Sequence, residues 1–236
     1  MNTKPPYQFE DGALFLVDKP LNWTSFDVVN KLRYALKKVT GNKKIKVGHA
    51  GTLDPLATGL LLVCCGKYTK QIDNLQAMTK EYTGTIKLGA VTPSFDAETE
   101  ESNPKPFDHL SEEDIKKATE QFLGEIEQVP PIYSAIKVDG KALYELARKG
   151  QEVEIKSRKV QILFFEITSV NLPSIDFRVS CSKGTYIRSL ANDLGQSLGC
   201  GGYLTALRRT KIGDYCIEEA WNLEHLESGI RESLVS

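Results

Sequence analysis

Gly48-His49-Ala50-Gly51-Thr52-Leu53-Asp54-Pro55-Leu56-Ala57-Thr58-Gly59 is the stretch on which the reading of the chain turns. Three glycines, a proline, a histidine and one carboxylate stand between a basic segment and the apolar run Leu60 to Cys65. Glycine lets a backbone approach a ligand or take positive φ. Pro55 disfavours helical geometry at Asp54 and holds it extended or in a turn. A carboxylate fixed on such a loop can act as a nucleophile or base. The same residue in the same loop can equally make an Asx-type turn and do nothing else.

Outward from this loop the chain alternates strands and helices. Leu60 to Cys65 reads as a buried strand, and Ala13 to Val17 as another. Ser25 is placed to cap a helix whose apolar positions Val28, Val29, Leu32, Ala35, Leu36 and Val39 follow a 3.6-residue period, stopped at Gly41. Lys43 to Ala57 reads mostly as loop. Tyr82, Gly84, Ile86 and Leu88 alternate with polar residues, as in a half-buried strand. Thr92 to Ser111, with three prolines and many acids, reads as a mobile surface loop. Ser111-x-x-Asp114 resembles a capping box for a helix carrying Ile115, Ala118, Phe122 and Leu123. Ala142 to Lys149 reads as a short helix. Strands follow at Val160 to Ile167 and Ile175 to Cys181, then a helix with Leu190, Ala191, Leu194 and Leu198. The pattern predicts an α/β chain of the α+β type, a mixed, mainly antiparallel sheet flanked by helices.

The chain has 236 residues, 41% hydrophobic and 26% charged, the balance of a globular protein. No apolar run approaches the roughly 20 residues of a membrane span, and the N-terminus lacks the apolar stretch of a secretion signal. A cytoplasmic protein without a membrane association is expected. The five cysteines include no C-x-x-C pair, which argues against a zinc site or a disulfide framework. The net charge of −1 hides a polarised distribution. Lys31 to Lys80 holds ten basic residues against two acids, and Ser94 to Gln128 eleven acids against three lysines. The first segment is either a phosphate-binding surface or a solvated face.

Other chemistries are poorly supported. Gly66-Lys67-Tyr68 lacks the spacing of a phosphate loop and has Tyr68 where that motif has Ser or Thr. His49, His109 and His225 show no helical metal spacing. Cys64 and Cys65 end an apolar strand, and Ser134 is not in a nucleophile elbow. No cofactor motif is present, and no metal site is expected.

The segment from Gly48 to Gly59 resembles the signature of the TruB-type pseudouridine synthases, which isomerise a uridine, position 55, in the T loop of transfer RNA. Further segments match in order: Asp18-Lys19-Pro20 with Thr24-Ser25; Lys80-Glu81-Tyr82 with Leu88-Gly89, Thr92 and Asp96; Gln128-Val129-Pro130-Pro131-Ile132-Tyr133-Ser134-Ala135 with Lys137, Gly140 and Tyr144; and Lys183-Gly184-Thr185-Tyr186-Ile187-Arg188-Ser189-Leu190 with Asp193-Leu194-Gly195, followed by Leu207-Arg208-Arg209-Thr210. The match covers about residues 11 to 215.

The resemblance implies the pseudouridine synthase catalytic fold and a set of roles. Asp54 matches the catalytic aspartate, Arg188 the arginine that pairs with it, and Tyr186 the tyrosine close to the reacting carbon of the base. Tyr82 matches the ring that stacks on the target base. His49 matches a histidine that holds displaced T-loop nucleotides, Leu207 an apolar residue of the uracil pocket, and Lys19 and Pro20 supports of the active-site loop. No cofactor is implied. The implied partner is the T stem-loop of transfer RNA, with no obligatory protein partner and a monomeric enzyme. Residues 1–236 are expected to form a single catalytic domain, 216–236 being a short closing helix and tail rather than the RNA-binding domain of longer relatives. Two alternatives stay open, a transfer-RNA folding chaperone with little catalysis and a guide-RNA-dependent synthase.

Overall fold

The computed structural model describes residues 9, 11–134, 136–138, 140–143 and 155–232. The chain divides into two compact units, one running to Tyr82 and resuming at Arg208, the other from Thr83 to Leu207. The strands β4 (Lys80–Leu88) and β10 (Gly202–Ile212) each give residues to both, and the chain also forms the short elements α2 (Ile72–Ala77), β6 (Lys137–Val138), β7 (Lys141–Ala142) and β11 (Tyr215–Cys216).

In the first unit β1 (Ala13–Lys19) pairs antiparallel with β3 (Ala57–Cys65) along its whole length, from Ala13 opposite Cys65 to Lys19 opposite Gly59. The short β12 (Trp221–Asn222) lies parallel to β1, and β2 (Val47–His49) pairs with the end of β3, so the sheet is mixed. On the other edge of β3 lies β10, then β4. One face buries Phe15, Val17, Leu61 and Val63 under α1 (Ser25–Thr40) and α5 (Leu223–Glu232); the other buries Leu14, Leu16, Leu60, Leu62 and Cys64. Burial on both faces explains why β3 reads as an unbroken apolar run rather than an alternation.

α1 buries Val28, Val29, Leu32, Ala35 and Leu36, and ends at Gly41 in the left-handed conformation that a glycine cap favours. Its cap differs from the sequence reading. Thr24 is the N-cap, in a reciprocal capping box with Asp27, while Ser25 turns inward and is buried. The Lys43 to Ala57 segment also differs, because Val47 to His49 finds a free stretch of β3 edge and becomes β2.

In the second unit β8 (Arg158–Asn171) and β9 (Ser174–Cys181) form a long antiparallel hairpin, and β5 (Gly124–Gln128) pairs antiparallel with β8. β4 lies beyond β9, with β10 next. Ile175, Phe177, Val179 and Cys181 point inward as their alternation predicts. Phe177 meets Phe165 edge-on at 5.8 Å. The capping box of Ser111 and Asp114 opens α3 (Glu112–Glu120), which stops before Phe122 and Leu123. α4 (Ile187–Ser197) carries the expected Leu190, Ala191 and Leu194 inward. β5 and β10 were not anticipated. The expected helix at Ala142 to Lys149 falls largely outside the described residues. The segment after Thr92 is a loop anchored from within rather than a plain surface loop: buried Thr92 and Ser94 hydroxyls donate to the Asp96 carbonyl at 2.7 and 3.2 Å, and Ser94 also donates to the Asp96 carboxylate at 2.7 Å.

Candidate active site

The Gly48 to Gly59 loop bridges β2 and β3, and side chains far away in sequence bind its main chain. The buried Ser25 hydroxyl donates to Leu53 O at 3.0 Å and accepts from Leu53 N at 2.8 Å, fixing the peptide that enters Asp54. On the far side Pro55 O accepts from Asn22 N at 2.8 Å and from Lys19 Nζ at 3.4 Å. Lys19 Nζ also donates to Pro20 O and Trp23 O at 2.9 and 2.6 Å. Arg209, 1% exposed, spans the loop from below, donating to Leu60 O at 2.7 Å, Gly51 O at 3.0 Å and Thr52 O at 3.5 Å. Asp54 is itself partly exposed. A half-open carboxylate on a backbone held on both sides is the arrangement that preorganised chemistry needs.

The charges around the loop are tuned by burial. Lys19 is fully buried, and desolvation lowers its pKa to about 8, with the negative charge of Asp54 pulling it back upward. Lys19 and Asp54 therefore share one electrostatic environment. His49 has its pKa lowered by burial and then by the Arg209 charge, which favours the neutral imidazole. Tyr82 is buried in β4, two residues after Lys80. The Lys80 ammonium is taken up by Gln76 O and Met78 O at 2.5 and 2.6 Å.

The second unit holds Tyr186, Arg188 and Leu207. Arg188, 4% exposed, projects from the first turn of α4 and donates to Ser94 O at 3.2 Å and Tyr133 O at 2.9 Å, with its Nε 3.6 Å from the Asp96 carboxylate. A buried guanidinium keeps its charge at tolerable cost only with such partners. Tyr186 is the N-cap of α4, and Leu207 is partly buried in β10. Cys64 and Cys65 are buried, with their thiols pushed up to about 12 and about 11 by desolvation, so they are poor nucleophiles.

Residues 37–187 match the family model of TruB family pseudouridylate synthase (N terminal domain), and residues 188–233 match that of the tRNA pseudouridylate synthase B C-terminal domain. The chain belongs to the TruB family of pseudouridylate synthases. It is 57% identical to the tRNA pseudouridine synthase B of Flavobacterium johnsoniae, over 96% of this chain and 99% of that one. It is 53% identical to the tRNA pseudouridine synthase B of Phocaeicola vulgatus, over 92% of each. Among solved structures it is similar to a chain of a Cbf5-Nop10-Gar1 complex, with a TM-score of 0.69 and 26% identity, over 95% of this chain and 60% of that chain.

Sequence reasoning missed Arg209 and the inward role of Ser25, though both lie inside the TruB-like segments. Arg209 is buried among partly exposed neighbours on β10, so no apolar alternation marked it; nothing local in the sequence pairs Ser25 with Leu53. Among the described residues no helix is long and apolar enough to cross a membrane, and no group of three or more His, Cys, Asp or Glu side chains is arranged to hold a metal ion.

Proposed function

We propose that this TruB-family chain isomerises uridine to pseudouridine at position 55 in the T loop of transfer RNA. The observation that carries the reading is the Asp54 loop, inside the family match and bound on either side of its carboxylate by Ser25, Lys19 and Arg209. The target uracil must leave its stack before reaction, which costs a few kcal/mol. A ring at Tyr82 stacked on the flipped base offsets that cost, base–aromatic stacking being worth roughly 1–3 kcal/mol. The C1′–N1 bond then breaks, the base turns, and C1′ joins C5; the C5 proton passes to solvent and N1 takes up a proton in its place, so the product is an isomer. The Asp54 carboxylate supplies the negative oxygen this rearrangement uses. Tyr186 and Arg188 serve the same chemistry, His49 and Leu207 contact the substrate, and Lys19 supports the loop. Each of these residues stands at the corresponding position of a TruB-like motif.

The enzyme acts on its own in this reading, in the cytoplasm, as a monomer. Purified protein and an unmodified transcript carrying 5-tritiated uridine test it. Release of one tritium per RNA without any added RNA or protein is expected. Binding without release would favour a folding assistant, and release only on adding a guide RNA would favour the guide-dependent reading.

A further inference from the structure

Tyr186 is gripped from two directions. Its main chain rests on the fully buried side chain of Gln128, whose Oε1 accepts from Tyr186 N at 2.8 Å and whose Nε2 donates to Tyr186 O at 3.1 Å. Gln128 is paired across the β5–β8 ladder with Arg158. The Arg158 guanidinium lies over the phenol ring of Tyr186, with Cζ 4.4 Å from its centroid. Two residues facing each other on paired strands thus hold one tyrosine, the first by its backbone and the second by its ring.

The guanidinium has little else to do there. Arg158 Nε and Nη2 are shut off from solvent without a hydrogen-bond partner among the described residues. Buried charged donors without acceptors are costly and rare. The negative face of an aromatic ring attracts a cation, and an arginine plane stacks on it as a lysine cannot. On the loop that precedes the tyrosine, Gly184 has φ +85°, and a Cβ there would lie 3.9 Å from Arg158 Cζ and Nη1, so loop and ring enclose the guanidinium. Tyr186 itself makes no side-chain capping bond to α4, so helix capping does not orient the ring.

We propose that Gln128 and Arg158 are positioning residues for Tyr186, fixing its ring for the isomerisation step rather than for capture of RNA. The proposal rests on the role given to Tyr186 above. The test compares Arg158→Met, Arg158→Lys and Tyr186→Leu, each checked for a wild-type melting profile, by single-turnover tritium release at saturating transcript and by RNA affinity. Arg158→Met is expected to slow the saturated rate at least ~10-fold, since small misplacements of reacting groups cost up to about a hundredfold, with RNA affinity close to wild type. Arg158→Lys should recover part of the rate. In the Tyr186→Leu background Arg158→Met should cause no further slowing. Gln128→Met, which removes both main-chain bonds, should lower the saturated rate in the same way; the Arg158 variants decide the matter if it does not fold. The proposal is overturned if Arg158→Met slows Tyr186→Leu as much as wild type, or if its defect is weaker RNA binding with an unchanged saturated rate, the behaviour of a phosphate ligand. A slow Tyr186→Leu beside a wild-type Arg158→Met overturns the clamp alone. A wild-type rate for Tyr186→Leu overturns the role of Tyr186 and the clamp with it.

Discussion

At the scale of single residues, the site is a set of polar side chains spent on holding main chain. Lys19 gives its ammonium to carbonyls of Pro20, Trp23 and Pro55, and burial lowers its pKa from 10.5 to about 8. The folded pKa lies below that of the unfolded chain, so between about pH 8 and 10.5 the unfolded chain holds the proton more firmly. The contribution of Lys19 to stability therefore rises as pH climbs through that window. Urea unfolding of wild type and Lys19→Met is expected to show a stability difference that moves in favour of wild type from about pH 8 towards pH 10; a difference independent of pH would mean that Lys19 is not the buried cation described. Ser25→Ala should cost about 1–3 kcal/mol, because it strips Leu53 N and Leu53 O of their buried partner. The same variant should slow turnover more than it weakens RNA binding, and equal losses in both would separate the Ser25–Leu53 contact from catalysis.

At the scale of elements, the loop depends on a close approach of β3 and β10. Gly59 has φ +102°, and a Cβ placed there would stand 2.3 Å from Arg209 O and 2.7 Å from Arg209 N. Gly59→Ala forces the two strands apart and moves the arginine that holds Gly51 and Thr52. A loss of about 2–5 kcal/mol in unfolding free energy is expected from positive φ and overpacking together, with a fall in turnover; a variant of wild-type stability would show that the strands can separate freely. The elements legible in sequence were those whose signals are local. α1 announced itself by its apolar period and Gly41, α3 by Ser111 and Asp114, β9 by its alternation. Ser25 was misread as the cap because Thr24 and Ser25 are chemically equivalent caps, and only the fold shows that Ser25 faces Leu53. β10 escaped because the buried Arg209 breaks its apolar alternation, its partners lying about 150 residues away in sequence. β5 escaped because Glu125 and Glu127 flank its one inward isoleucine on a short strand at the end of the sheet order.

At the scale of the whole molecule, a net charge of −1 conceals the basic stretch from Lys31 to Lys80. Lys43, Lys44 and Lys46 are exposed, and on α1 the exposed Tyr34 carries Lys38 over its ring at 4.6 Å. Affinity for transfer RNA is expected to fall steeply with salt through counterion release. Changing Lys43, Lys44 and Lys46 to Glu should weaken binding and flatten the slope in a salt titration, whereas an unaltered slope would place these lysines away from RNA. The candidate catalytic residue and its expected support Lys19 were readable in the sequence through ordered motifs, while the Ser25 and Arg209 contacts were not, because each joins residues that only folding brings together. The central claim is that Asp54 performs the chemistry rather than shaping a turn. The most direct test is the single-turnover rate of Asp54→Asn, with RNA affinity and melting temperature measured on the same preparation. Asn keeps the size and turn-forming ability of Asp but loses its charge. The rate should fall by roughly three orders of magnitude or more, with folding and affinity retained because phosphate contacts and stacking do not need the carboxylate. A folded Asp54→Asn variant with near-normal turnover would contradict the account.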